Sequence, residues 1–188
     1  MGEKPPATRR ILLASRQLVA RGGAAEISMG DVAALAGVSK ALVHYHFHDK
    51  ESLLVALVDE VGRDVLERER GAMSGAAAGH ELDGYWEWLQ GELSRGDFRI
   101  LLALAEYDSD RIRAASRRVA IARRSLAEEH LALVFTRLGL APRLPAALLA
   151  ETVVAFMDGL AAARTLTPER DPRPAFDVLW LGLLTLGD

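Results

Sequence analysis

The sequence predicts an all-α chain of about nine helices, and three observations carry that reading. Apolar residues recur at three- and four-residue spacing along most of the 188 residues, whereas strand-like alternation is nearly absent. Glycine and proline fall between these stripes, where helices stop and start. Half of the residues are hydrophobic, enough to bury a sizeable core. The chain has no cysteine, which excludes disulfides, thiolate zinc sites and cysteine nucleophiles.

Each element has its own signal. The first helix runs from Thr8, its N-cap, to Arg21, with Ile11, Leu12, Leu18 and Val19 on one face, and stops at Gly22-Gly23. Ser28 caps the second helix, and Asp31 suits its exposed N–H groups. Val32, Leu35 and Ala36 form the apolar face of this helix, and Ala33 is small enough for close approach. Gly37 allows a sharp turn, Val38 plugs the corner and Ser39 caps the third helix, which buries Leu42, Val43 and Phe47. The fourth helix starts near Lys50 with Leu53, Leu54, Leu57, Val58 and Val61 in register, then fades into a Gly/Ala-rich hinge or loop at Gly71–Gly79. That glycine run is no phosphate cradle, since no strand precedes it and no Lys-Ser/Thr follows.

The fifth helix spans Glu81–Ser94 with a stripe of Leu82, Trp86, Leu89 and Leu93, and leaves Tyr85 and Trp88 on its flanks. The sixth runs Asp97–Tyr107. The seventh, Asp110–Leu138, repeats Ile112, Val119, Leu126 and Leu133 every seven residues and closes at Gly139 and Pro142. The eighth runs from Pro145 to Leu166, Thr167–Pro172 is a loop, and the ninth spans Pro174–Leu186. This last helix is apolar on nearly all sides, so it needs cover on more than one, and a second copy of the chain is the expected cover.

The second and third helices form a helix-turn-helix. The third carries Lys40, His44, Tyr45 and His46 away from its core side, and a helix of this kind fits the DNA major groove. Ser28, Ser39 and Lys50 stand at helix starts, where N–H groups favour a phosphate. Thr8, Arg9 and Arg10 are near enough to the chain start to reach phosphate or the minor groove. Charge agrees with this placement. Residues 1–50 hold seven Lys/Arg against four acids, net +3, so residues 51–188 carry −6 of the overall −3.

The segment GVSKALVHYHFHDKESLL resembles the signature of the tetracycline-repressor (TetR) family of transcriptional regulators, within a match from Ile11 to Leu54. His44 departs from the pattern, which usually has Tyr there. AFMDGLAAARTLTPERDP, at Ala155–Pro172, is similar to the dimerisation-helix end of many members. The resemblance implies a homodimer with a DNA-binding domain over residues 1–50 and a regulatory, ligand-binding and dimerisation domain over residues 51–188. It also implies a repressor released from a palindromic double-stranded operator when a small ligand tilts helix four, and a Lys50 that contacts the DNA backbone. A member without a small-molecule ligand, controlled by a protein partner or its own level, is the alternative.

In a domain whose family usually holds a ligand cavity, Trp86, Phe98, Tyr107, Phe135, Phe156 and Met157 are candidate lining, with Tyr85 and Trp88 at the rim. His130, on the inward face of helix seven, is either a buried histidine satisfied by a neighbour or the polar handle for a small apolar or aromatic inducer. For the dimer, Thr152, Ala155, Gly159 and Ala162 make a small-residue face on helix eight, while Leu149, Val153, Phe156 and Leu160 turn to the monomer core. Helix nine adds Phe176, Leu179, Trp180 and Leu183 to the interface.

No convergent nucleophile or acid–base cluster marks an enzyme. Glu128-Glu129-His130 lacks the zinc-protease spacing, and His44 and His48 share a face without a third ligand, so no metal or cofactor is expected. The N-terminus shows no apolar signal segment, and every long apolar run is broken by a charge or by Gly-Asp, so the expected setting is cytoplasmic with no membrane partner.

Overall fold

The computed structural model describes residues 6–75 and 79–187. Among them are nine helices and no strand: α1 Ala7–Glu26, α2 Met29–Ala36, α3 Lys40–Phe47, α4 Lys50–Gly75, α5 Glu81–Arg95, α6 Asp97–Ala105, α7 Asp110–Arg137, α8 Ala146–Leu166 and α9 Arg173–Leu184. The all-α prediction is correct. The hinge expected at Gly71–Gly79 is helical as far as Gly75, and Ala76–Ala78 lie outside the described residues. The helix expected to run to Tyr107 ends at Ala105.

The chain divides into two compact units. One comprises residues 1–63 and 99–119, the other residues 64–98 and 120–188. This division differs from the boundary after residue 50 suggested by the sequence, because α4 and α7 each contribute to both units.

In the first unit, α1 buries Ile11, Leu12, Ala14, Ser15 and Val19. Its helical geometry is lost at Gly23 (φ 80°, ψ 170°), where the sequence places a stop, and one more turn follows. A capping box opens α2. Asp31 N–H donates to Ser28 Oγ at 3.1 Å, and Ser28 N–H donates to the Asp31 carboxylate at 3.2 Å. Gly37 closes α2 in the left-handed region at φ 61°, which a Cβ would strain. Val32, Ala33 and Ala36 face the core, but Leu35 is 43% exposed and does not belong to that face. Leu53, Leu54, Leu57, Val58 and Val61 of α4 are completely buried, as are Ile112 and Ala115 of α7.

The second unit is centred on Leu89, Phe98, Leu126, Phe135, Val153, Met157 and Phe176. The seven-residue seam of α7 does not persist. Leu133 is only half-buried, and Leu131, Val134 and Phe135 take the inward places. A straight helix drifts about 20° per heptad, so a fixed seven-residue stripe rotates out of the core. Tyr85 and Trp88 are buried rather than flanking, because α5 is covered over a wide face.

On α9 the inward stripe is Phe176, Trp180 and Leu183. These three are buried within their own unit, and Leu179 is half-buried. The outward residues are Val178 and Leu181, 70% and 67% exposed. On α8, Thr152, Ala155, Gly159 and Ala162 are all exposed, as the small-face reading requires. Leu149 and Val153 are buried there, whereas Phe156 and Leu160 are only half-buried because Ala150, Met157 and Ala161 occupy the innermost positions.

One close approach in the first unit can be tested directly. A Cβ on Gly62 would meet the Val119 side chain at 2.5 Å. Gly62→Ala should therefore destabilise the chain by about 1–3 kcal/mol despite alanine's better helix propensity. In urea unfolding of single and double variants, Val119→Ala should make Gly62→Ala less costly than it is alone; additive losses would remove the contact from the explanation.

Candidate functional site

The outward surface of α3 is built on Ser39, whose Oγ accepts the Leu42 N–H at 3.1 Å and so starts the helix. Lys40, His44 and Tyr45 are exposed, and Tyr45 is 76% exposed. A tyrosine left this open in a folded unit owes little of its place to core packing. His46 is not equivalent to them. It is half-buried, with its Nδ1 3.4 Å from Thr8 Oγ1, and its ring meets Tyr45 edge-on at 5.3 Å. His46 and Thr8 therefore brace α3 against α1. The His44 Nδ1 lies 3.0 Å from the His48 carbonyl oxygen, so it acts as a donor that closes the end of α3.

The basic residues expected near phosphate divide into two groups. Arg9 is exposed. Arg10 is engaged: its Nη1 donates to the Ala36 and Gly37 carbonyls at 3.2 and 3.3 Å, satisfying acceptors left over at the end of α2. Arg10 thus fixes the turn of the helix-turn-helix. Lys50 Nζ donates to the Ala25 carbonyl at 2.8 Å and lies 5.3 Å from the centre of the Tyr107 ring. Tyr107 lies in the first unit, apart from the other aromatic candidates. Ser28 is occupied by its capping box.

Arg111, which the sequence did not single out, secures the start of α4. Its Nη2 donates to Ser52 Oγ at 2.9 Å, and its Nη1 stands 3.4 Å from both Asp49 and Glu51. Asp49 also accepts the Ser52 N–H at 2.6 Å. The bonds from Ser52, followed by the charge of Arg111, hold the Asp49 carboxyl below its ordinary value. Only the pairing of residues sixty positions apart reveals this role, and no local signal in the sequence carries it.

In the second unit the ligand candidates do not share one surface. Phe98, Phe135 and Met157 are buried in the core, and Phe156 is half-buried on α8. His130 is satisfied within the chain, with its Nδ1 3.1 Å from Glu69 Oε1. The same carboxylate oxygen accepts the Tyr85 hydroxyl at 3.2 Å. Burial, together with the negative charge of Glu69, pushes the Tyr85 hydroxyl well above its ordinary value. Arg68 donates to Glu92 and Asp97, both completely buried. Arg123 Nη2 forms an ion pair with Asp158 Oδ1 at 2.8 Å. Trp86 is the candidate that lines open space, an open cavity of about 620 Å³ that it shares with Trp88 and with Asp83, Glu87 and Arg173.

Residues 11–57 match the family described as bacterial regulatory proteins, tetR family. None of the curated proteins compared with the chain matches it. Solved structures with the same fold include a Rhodococcus sp. protein assigned to the TetR-family transcriptional regulators, at 24% identity and TM-score 0.76 over 97% of this chain and 100% of that one. The fatty acid degradation regulator FadR of Bacillus halodurans gives 19% identity and TM-score 0.80, covering 97% of each chain. NalD of Pseudomonas aeruginosa, the secondary repressor of the MexAB-OprM multidrug efflux pump, gives 22% identity and TM-score 0.64 over 96% of this chain and 95% of that one. At these identities the structural match establishes the fold.

Two predictions separate scaffold from contact. Tyr45→Ala should change stability by less than about 0.5 kcal/mol yet weaken DNA binding, whereas Arg10→Ala should lose about 1–2 kcal/mol of stability as well. Denaturation and DNA titration on both variants check this, and equal behaviour would overturn the division. The second prediction concerns pH. The folded chain keeps the Tyr85 proton at pH values where the unfolded chain releases it, so stability should fall as pH rises above 10.0, the ordinary tyrosine value. Tyr85→Phe should flatten that alkaline decline, at a cost near neutrality of about 1 kcal/mol for the lost bond to Glu69; urea midpoints across pH 7–11 read both effects.

Proposed function

We propose that this chain, whose residues 11–57 belong to the tetR family of bacterial regulatory proteins, is a transcriptional repressor that grips a palindromic DNA operator as a homodimer and releases it when a small ligand occupies the second unit. The observation that carries the reading is α3, a capped helix on a fixed turn that holds Lys40, His44 and Tyr45 outward, with Tyr45 76% exposed. Such a helix places side chains against base edges, while helix N-termini and lysines nearby hold the phosphate backbone. The repressor sense follows NalD, a relative in fold described as a repressor.

Two exposed apolar surfaces support the dimer. α8 is long and apolar enough to cross a membrane by length and composition, with mean hydropathy 1.6, and under a third of that stretch is buried. Asp158 within it pairs with the buried Arg123, which suits a helix packed on protein. Its outward face is small (Thr152, Ala155, Gly159, Ala162), and α9 adds the exposed Val178 and Leu181. A second copy laid on these faces removes them from water and gives the dimer two recognition helices, the number that a palindromic operator with half-sites about one DNA turn apart calls for. α4 runs unbroken from the end of the recognition-helix loop to Gly75, so a ligand that shifts its far half reorients its start.

Sedimentation and operator binding test this together. Val178→Glu with Leu181→Glu should yield folded monomers that bind DNA at least about tenfold more weakly, because one head meets only one half-site. Gly159→Trp should act in the same direction. A normal dimer in both cases, or monomers that bind operator at full strength, would overturn the arrangement.

A further inference from the structure

The open cavity on α5 carries an assignment of ligand chemistry. Its wall presents two large indoles, Trp86 and Trp88, beside two carboxylates, Asp83 and Glu87, and the His80 ring, whose Nδ1 lies 3.1 Å from Asp83. The one guanidinium in the wall, Arg173, is already matched: its Nε donates to Asp177 at 2.8 Å, and its Nη2 lies 3.9 Å from Asp83. The charge left over in the cavity is therefore negative.

The position of Arg173 is itself informative. Its guanidinium carbon lies 5.2 Å from the centre of the Trp86 ring and 5.7 Å from that of Phe176. The face of Trp86 thus already holds a cation, supplied by the chain. Indole faces attract cations through their quadrupole, most strongly where water is thinned, and a nearby carboxylate adds to the attraction. Arg173 enters from the first turn of α9, with its side chain 39% exposed, so its seat on the ring can be given up to a ligand that offers the same charge and more apolar surface.

We propose that this cavity binds an organic cation of lipophilic type, and that Arg173 is the built-in competitor for the Trp86 face. The proposal rests on reading the second unit as the sensor, and it names what that sensor takes. An anion would meet the Glu87 carboxylate, which no cation of the wall offsets, and a neutral ligand would leave the ring-face attraction unused.

The test uses the full chain and two probes of matched shape and opposite charge, tetraphenylphosphonium and tetraphenylborate, in sodium buffer, followed by equilibrium dialysis. All three tryptophans lie in the second unit, so their fluorescence provides a parallel readout. The cation should bind at least about tenfold more tightly than the anion. Arg173→Gln should tighten the cation further, by roughly three- to tenfold, since the face is vacated and the charge becomes more negative. Asp83→Asn with Glu87→Gln should weaken the cation by about tenfold. Near-UV circular dichroism confirms that each variant is folded, and Arg173→Lys, which keeps the charge but loses the planar stack, should fall between wild type and Arg173→Gln. Equal affinity for the two probes, preference for the anion, or indifference of the cation to the two carboxylate changes would overturn the proposal. Operator release is measured separately: cation binding without release upholds the site and refutes its regulatory role, whereas absence of cation binding refutes the site and leaves the repressor reading to its own test.

Discussion

His48 holds its backbone at φ 48°, a region that a residue with a Cβ enters only when its surroundings require it, and the aim of the recognition helix depends on that corner. α3 ends there, with the His48 N–H donated to the His44 carbonyl at 2.8 Å, and α4 begins two residues later under the Asp49 cap. Lys50 anchors the corner to the end of α1 through the Ala25 carbonyl, and Arg111 anchors it to the first turn of α7 through Asp49, Glu51 and Ser52. Four helices thus converge on the five residues from His48 to Ser52. The turn between α2 and α3 is held by Gly37 and Arg10, whereas the junction of α3 with α4 is held by exposed pairs.

The magnitudes explain the difference. The Arg111 contacts are exposed on both sides, and such pairs contribute at most about 1 kcal/mol each. The turn between α2 and α3 rests on a left-handed glycine, which a Cβ would strain, and on the capping Ser39 and the Arg10 bonds, whose loss leaves an N–H or a carbonyl unmet. A regulator needs the helix-turn-helix preserved in every state and its orientation changeable at modest cost. The strong interactions lie inside the motif and the weak ones at its attachment.

Much of this was legible in the sequence wherever the signal is local. Ser28, Asp31, Gly37 and Ser39 are helix punctuation, and each acts in the structure as its type and spacing imply. The buried stripe of α4 followed from periodicity. What the sequence could not supply is which of two valid stripes turns inward. On α9, Phe176, Trp180 and Leu183 are as helical in spacing as Val178 and Leu181, and only packing against the rest of the unit selects the first set. Tyr107 was read with the aromatics of the second unit because it follows them in order, yet it pairs with Lys50, fifty-seven positions away. Arg10 and Arg111 look like solvated charge in a sequence. Long side chains on a helix surface do not announce a partner, so their roles emerge only in three dimensions.

The buried charges of the second unit bear on where a switch can bend. Arg68, on the far half of α4, serves Glu92 and Asp97 together, and both carboxylates have no exposed surface. Removing one partner from such a cluster leaves a buried charge uncompensated, a loss of about 3–5 kcal/mol. Allosteric coupling between sites is typically worth about 1–3 kcal/mol. A ligand working within that range cannot afford to break the Arg68 cluster, but it can shift the balance among exposed pairs such as those of Arg111 and of Arg118 with Asp59. In the proposed switch the far half of α4 therefore moves as one body with α5 and the start of α6. That proposal puts the give at the near end of α4, where the pairs are weak and α3 is attached.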